Sequence, residues 1–348
     1  MIGTELLKGQ GLGNQLFVYV TARAIALERG CEFGICNPAA LAKNIHSDTG
    51  NYFLDIDLGH EITQEEKKNY TVFDDDETRL YNGSSWHDIH HGAYISGARE
   101  CIHEVADNTL LYGNLQAESY FVAYRDELRN WLKVRPEYDT HEYTRENLCV
   151  IHLRHGDYSD HPELLLRRSY WKHGIENMKR IRPDMEFVIV TEDTAYAKKV
   201  FPGIPAISND IGTDYAILKN ATYLLLGNSS FAVFPAFTNE NLKYAIAPKY
   251  WARHNGSDGY WASEQNIYSI FHYQDRAGNL FTPEECRREL EAYKRTSPRY
   301  RMRNMKPTGA RKLFYTIESR LRYAAFRADV YAQGILRRLH LKMGVITG

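Results

Sequence analysis

The chain has 348 residues, 43% of them hydrophobic and 25% charged, an ordinary globular composition with enough apolar material for two cores. Five widely spaced cysteines, Cys31, Cys36, Cys101, Cys149 and Cys286, form no C-x-x-C pair, so they offer no zinc motif and read as the reduced thiols of a cytosolic protein. The net charge of −1 hides a split: from Arg287 onward there are 16 Lys and Arg against 4 Asp and Glu, while the residues before it hold 27 and 40, an acidic body that argues against a nucleic-acid groove.

The start, Met1 to Lys8, has neither the apolar run nor the small-residue cleavage site of a signal peptide. Nowhere do about 18 apolar residues run together, so no membrane-spanning helix is expected. Glu5-Leu6-Leu7 reads as a short strand and Gly9-Gln10-Gly11-Leu12-Gly13 as a turn. Asn14 then caps a helix to about Arg29, with Leu16, Phe17, Val20, Ala24 and Leu27 at helical spacing. Residues 37–97 are polar and loop-rich. A second helix is expected from Glu118 through Tyr124 and Leu128 to Leu132, and a linker from Pro136 to Asn147.

After the linker the pattern changes. Leu148 to Leu153 is a continuous apolar run, as in a parallel strand buried on both faces. A helix over Tyr170–Ile181, a strand over Phe187–Val190 and a helix over Thr194–Val200 follow. Next come a helix over Asp214–Asn220, a strand over Tyr223–Leu226, a helix from about Phe231 and a strand over Tyr244–Ile246. Such alternation predicts a doubly wound parallel sheet, whose ligands bind beyond the carboxyl ends of its strands.

Three segments stand at predicted strand ends. In Gly9–Phe17, glycines allow close backbone approach, and the helix that follows offers N–H groups to a phosphate. An ordinary tight turn fits the same residues. The G-x-G-x-x-G dinucleotide fingerprint is not met, which argues against a nicotinamide enzyme. In His152–Tyr158, Arg154 provides a planar fork suited to a pyrophosphate, or else a salt-bridged loop arginine. In Gly227–Phe231, Ser229 and Ser230 are natural phosphate ligands, although helix capping explains Ser229 equally well.

Gly11-Leu12-Gly13-Asn14-Gln15-Leu16-Phe17, His152-Leu153-Arg154-His155-Gly156-Asp157-Tyr158 and Asn228-Ser229-Ser230-Phe231 resemble, in order and spacing, the signature motifs of the α-1,2-fucosyltransferases of glycosyltransferase family 11. Gln116 to Phe121 resembles the family's Q-S-E-K-Y-F, Thr191-Glu192-Asp193 its S-D-D, and Ile246 to Lys249 its last strand. The resemblance covers about residues 5–252. It implies an α/β, GT-B-like fold of two Rossmann-like domains, with a basic helical tail read from the charge split. The corresponding limits are 1–144 for an acceptor-side domain, 145–285 for a GDP-sugar-binding domain and 286–348 for the tail.

The resemblance further implies inverting transfer of L-fucose from GDP-fucose to a hydroxyl, galactose O2 in the family pattern, of a bacterial surface glycan. No metal or other cofactor is expected. His152 would meet the guanine and Arg154 the β-phosphate, Asp193 the base or ribose, and Gly11, Gly13, Ser229 and Ser230 the phosphates. Inversion needs a base near the acceptor hydroxyl, for which Asp157 and Glu118 are the candidates. Asn14 would orient the hydroxyl or the sugar ring.

The sequence departs from the family at His155, where a second arginine is usual, at Gln10, which interrupts K-G-G-L-G-N, and at Ala232 to Pro235, which replaces S-W-W-x. Transfer of another GDP-6-deoxysugar such as colitose, or a catalytically dead sugar- or nucleotide-binding relative, are the alternatives. His87, His90 and His91 have no helix to form a metal site. Trp86, Tyr94 and Trp261 are candidates for stacking on acceptor sugars or for anchoring loops.

From Arg311 to about Lys342 apolar residues recur at helical spacing with arginines between them. The helix suits either an anionic membrane surface or docking onto the acidic body. Membrane contact would place the enzyme peripherally on the inner face of the plasma membrane and suit a lipid-linked oligosaccharide acceptor.

Overall fold

The computed structural model describes residues 1–43, 48–75, 99–160, 164–255, 257, 259, 261, 263, 266–297 and 309–343. In chain order the first half supplies β1 (Ile2–Glu5), β2 (Phe33–Cys36), β3 (Leu54–Asp55), β4 (His60–Glu61), β5 (Thr71–Asp74), β6 (Thr109–Tyr112) and β7 (Lys133–Val134). Five of them form a sheet in the order β4-β2-β1-β6-β5, parallel throughout, while β3 and β7 make a separate antiparallel pair. The order reverses between β1 and β6. The first strand begins earlier than the sequence suggests, because Thr4 is buried and its hydroxyl donates to the Leu111 carbonyl at 2.7 Å, whereas Leu7 is exposed.

The second half supplies β8 (Leu148–His152), β9 (Glu186–Val190), β10 (Ala206–Ile207), β11 (Tyr223–Leu226), β12 (Tyr244–Pro248), β13 (His272–Gln274) and β14 (Leu280–Phe281). Their order is β10-β9-β8-β11-β12-β13-β14, parallel except for the β13–β14 pair. Here the order reverses between β8 and β11. Side chains alternate across this sheet: Cys149, Ile151, Ile189 and Leu225 pack with Tyr170, Trp171 and Met178 of the helix Arg168–Ile181. Val150, Val188, Leu224 and Leu226 face the opposite way, toward Tyr215 and Leu218 of the helix Ile211–Asn220 and the helix Val233–Phe237. This is the doubly wound sheet expected from the apolar runs.

The helix Leu12–Glu28 joins the halves. It packs against β1 and β2, and its Phe17 ring lies 4.7 Å from that of Phe234 and 5.9 Å from that of Tyr268. One continuous apolar core therefore includes residues of both sheets. Phe234, within the segment that departs from the family pattern, is wholly buried in this seam.

The expected helix over 118–132 is not continuous. Two 3₁₀ turns, Glu118–Tyr120 and Val122–Tyr124, precede a single helical turn, Leu128–Trp131, and Phe121 between the 3₁₀ turns has φ −138°. Tertiary bonds override the periodicity: the Tyr120 hydroxyl donates to Asp75 at 2.6 Å and accepts from the Arg99 N–H, also at 2.6 Å. Toward the C-terminus the helix Pro283–Thr296 buries Cys286 and Leu290, and a 35-residue helix, Gly309–Met343, follows. Among the described residues no helix is long and apolar enough to cross a membrane.

Candidate functional site

Both order reversals lie where the motif segments leave their sheets. At the β1/β6 reversal, the loop after β1 carries Gly9 to Gly13, and the segment after β6 carries Gln116 to Glu118. At the β8/β11 reversal, His152 to Tyr158 follows β8 and Gly227 to Phe231 follows β11. There the Gly227 N–H donates to the His152 carbonyl at 3.1 Å. Such reversals open a crevice beyond the strand ends, because the connections on either side run to opposite faces.

Gly13 brings the crevices together. A Cβ placed on it would sit 2.5 Å from the Ser230 carbonyl oxygen and closer still to the Ser230 carbonyl carbon and the Phe231 nitrogen. Only a glycine lets the first helix approach the Ser229–Phe231 turn this closely. Gly11 is the N-cap of that helix, has no side-chain cap, and has nothing within 4 Å of a Cβ placed on it. The positive end of this 17-residue helix is thus open at Gly11 among the described residues, while its first turn packs through Gly13 on the Ser230–Phe231 backbone. Asn14 lies inside the first helical turn rather than at the cap, and its Oδ1 accepts from Gln116 Nε2 at 3.0 Å. Gln116 Oε1 in turn accepts from Asn266 Nδ2 at 2.9 Å, a chain of amides from one half to the other. The neighbouring Gln15 is buried and holds the loop after β2, donating to the Ala40 carbonyl at 2.8 Å and accepting from the Ala42 N–H at 2.9 Å.

His152 is buried at the last position of β8, with its ring 5.6 Å from that of Phe231. Burial, and secondarily the Arg154 charge, push its pKa down to about 3, so the imidazole is neutral at physiological pH. Its buried Nδ1 has no hydrogen-bond partner in the described structure. Arg154 extends from the loop with Nε 3.7 Å from Glu192 Oε1 and its guanidinium 5.8 Å from the Tyr158 ring centroid. The Tyr158 hydroxyl donates to the Asn228 carbonyl at 3.4 Å, linking the β8 and β11 loops.

Asp193 caps the helix Thr194–Val200 by accepting from the Tyr196 N–H at 2.8 Å, and its other oxygen lies 2.9 Å from His155 Nδ1. The His155 ring stacks on Tyr196 with centroids 3.6 Å apart. Ser229 is buried and caps the Ser230–Ala232 turn, accepting from the Phe231 N–H at 3.4 Å, and Ser230 beside it is half-buried.

Two of the sequence candidates are held by the protein's own contacts. Glu118 is a buried carboxylate that accepts from the Ser269 N–H at 2.8 Å, from the Ser269 hydroxyl and from Arg287 Nη2 at 3.1 Å. So engaged, it ties the first half to Ser269 and Arg287 of the second. Trp261 is 1% exposed, edge-on to Tyr273 and Tyr250, and belongs to the core rather than to a sugar platform. Asp157 opens the 3₁₀ turn Asp157–Asp160, but its side chain lies outside the described residues. His87, His90, His91, Trp86 and Tyr94 lie outside them entirely.

Glu192, Gln116 and Asn266 escaped sequence reasoning as site residues. Glu192 was within reach, since it stands in the Thr191-Glu192-Asp193 segment. Its Oε1 accepts from the His155 N–H at 3.0 Å, and a Cβ on Gly156 would meet its carboxylate at 2.8 Å. It therefore shapes the loop that carries Arg154. On the first half, two neighbouring clefts share Ala39 and Lys43: one of about 450 Å³ reaches Arg135, the other of about 230 Å³ reaches Lys8 beside the glycine loop.

No protein-family model and no curated protein matches the chain. Among solved structures it is similar to the NodZ α-1,6-fucosyltransferase co-crystallized with GDP, at 14% identity, covering 71% of this chain and 94% of that one with a TM-score of 0.41. It is also similar to fucosyltransferase NodZ from Bradyrhizobium, at 13% identity, 68% and 92% coverage and a TM-score of 0.40. A third similar structure is POFUT1 in complex with GDP-fucose, at 10% identity, 71% and 96% coverage and a TM-score of 0.40. Overlaps this loose carry no functional inference.

Proposed function

We propose that the chain is a metal-independent, inverting glycosyltransferase that moves L-fucose from GDP-fucose to a hydroxyl of an oligosaccharide, galactose O2 in the pattern its motifs resemble. The observation that carries this reading is the convergence of the three motifs on two facing crevices, with Gly13 seated on the Ser230–Phe231 backbone.

The donor lies at the β8/β11 crevice. His152, neutral and with an unpartnered Nδ1, suits the hydrogen-bonding edge of a guanine, since a buried polar atom needs a partner. Arg154 faces the pyrophosphate. The uncapped helix start at Gly11 adds positive potential from the opposite side. Departure of GDP leaves growing negative charge on its β-phosphate, and these fixed groups stabilise that charge without reorganising. The acceptor enters from the first half, along the clefts lined by Lys8, Lys43 and Arg135. Asp157 takes the proton of the attacking hydroxyl as the C1–O bond to the acceptor forms and the C1–O bond to phosphate breaks. Asn14, held by Gln116, orients the acceptor.

An acceptor array supplied with GDP-fucose tests this reading. Fucose transfer to a galactoside supports it; turnover with GDP-colitose alone would change the donor, and binding of GDP-fucose without any turnover would make the chain a binding relative.

A further inference from the structure

We propose that the helix Gly309–Met343 is a membrane-surface anchor, with an anionic phospholipid bilayer as its partner. At 3.6 residues per turn, Leu313, Ile317, Leu321, Tyr331, Ile335 and Leu339 fall within an arc of roughly 80°. All six are exposed in the structure, from 42% for Ile335 to 73% for Tyr331, so the stripe does not dock onto the body. Arg320 and Arg327, both exposed, border the stripe on one side. The exposed Phe314 and Leu336 widen this face, and Asp329 lies beyond their edge, about 120° round the wheel from the centre of the six-residue stripe. It pairs with Arg167, which leads into the helix Arg168–Ile181 of the second half. The helix is thus tied to the body by one face and presents its apolar face outward.

Charge selects the occupant. The helix holds eight Lys and Arg against two Asp and Glu. A second copy laid along the stripe would bring two strongly basic helices together, whereas an anionic surface complements them. Each Lys or Arg near such a surface contributes favourably, and an apolar stripe of this width sinks to the acyl boundary without spanning the bilayer. The Arg167 tie sets the anchor beside the segment that leads from the β8/β11 crevice, where the Leu164 carbonyl accepts from Asn228 Nδ2 at 2.9 Å.

The test is sedimentation of the full chain with vesicles of phosphatidylcholine alone or mixed with phosphatidylglycerol, which needs no knowledge of the donor or acceptor. The protein should pellet with the anionic vesicles, less so as salt rises. Leu321→Glu with Ile335→Glu should abolish pelleting, and Arg320→Gln with Arg327→Gln should weaken it roughly tenfold or more. The second pair leaves the apolar stripe intact, so it decides the matter if the first pair precipitates. Equal pelleting with neutral vesicles would overturn the proposal. So would failure to pellet accompanied by a doubling of mass in sedimentation equilibrium, which would assign the stripe to a second copy.

Discussion

Gly13 and Ser230 touch through their backbones, although they stand in different halves of the chain and in different sequence motifs. The contact leaves no room for a Cβ, and the atoms it would strike are main-chain atoms that cannot rotate away. Gly13→Ala should therefore separate the two crevices, at a cost of about 1–3 kcal/mol as for other overpacking changes. Thermal unfolding should show the lowered midpoint, and turnover per folded molecule should fall with it. Gly11→Ala, with open space around it, should change stability far less.

Arg154→Ala should leave the fold intact and lower turnover by about 10²-fold or more, since it removes a fixed cation facing the departing GDP. Steady-state kinetics, with circular dichroism as a control, check this. Retention of more than about a tenth of wild-type activity would remove Arg154 from the reaction.

Glu118→Ala should act on stability rather than chemistry. It removes the acceptor of the Ser269 N–H and hydroxyl and one partner of the half-exposed Arg287, and the loss of these partly solvated, charge-assisted bonds costs about 1–2 kcal/mol. Denaturant titration should show this loss, with turnover per folded molecule kept within a few-fold. A stable variant whose turnover falls about 10²-fold would instead restore Glu118 as the base.

His152 gives the protein an acid-sensitive component. Its pKa is about 3 in the folded chain, against about 6.5 for an unperturbed histidine, so between these values the unfolded chain binds the extra proton. The stability it contributes is complete above about pH 6.5 and declines as pH falls toward 3. Wild type should lose stability relative to His152→Gln by about 1.4 kcal/mol per pH unit across the middle of that window. Paired urea titrations at several pH values measure the difference, and parallel curves would contradict the buried, neutral assignment.

Activity should persist in excess EDTA, because Arg154 and the helix start at Gly11 carry the leaving-group charge in this account. Loss of turnover that Mn²⁺ or Mg²⁺ restores would show that they do not.

The second sheet was legible because its strands are continuous apolar runs buried on both faces, so Leu148–His152 and Tyr223–Leu226 could be read directly. The four-residue strands Phe33–Cys36 and Thr109–Tyr112 were not, since both are short and Gly34 breaks the apolar run of the first. Periodicity misled over Glu118–Leu132, where bonds from Glu118 and Tyr120 to distant residues impose 3₁₀ turns on a helical pattern. At the site, the spacing of the motifs could not show that Glu192 rather than Asp193 lies beside Arg154, or that Asp193 is taken up by a helix cap and His155. Those outcomes depend on which way each side chain leaves a turn.

Release of GDP from GDP-fucose, followed with and without a panel of galactoside acceptors, tests the two-crevice donor site most directly. Turnover that rises with an acceptor, yields a β-to-α inverted fucoside and falls about 10²-fold or more in Arg154→Ala is the expected result. Absence of both GDP-fucose binding and GDP release by the folded wild-type chain would contradict the account.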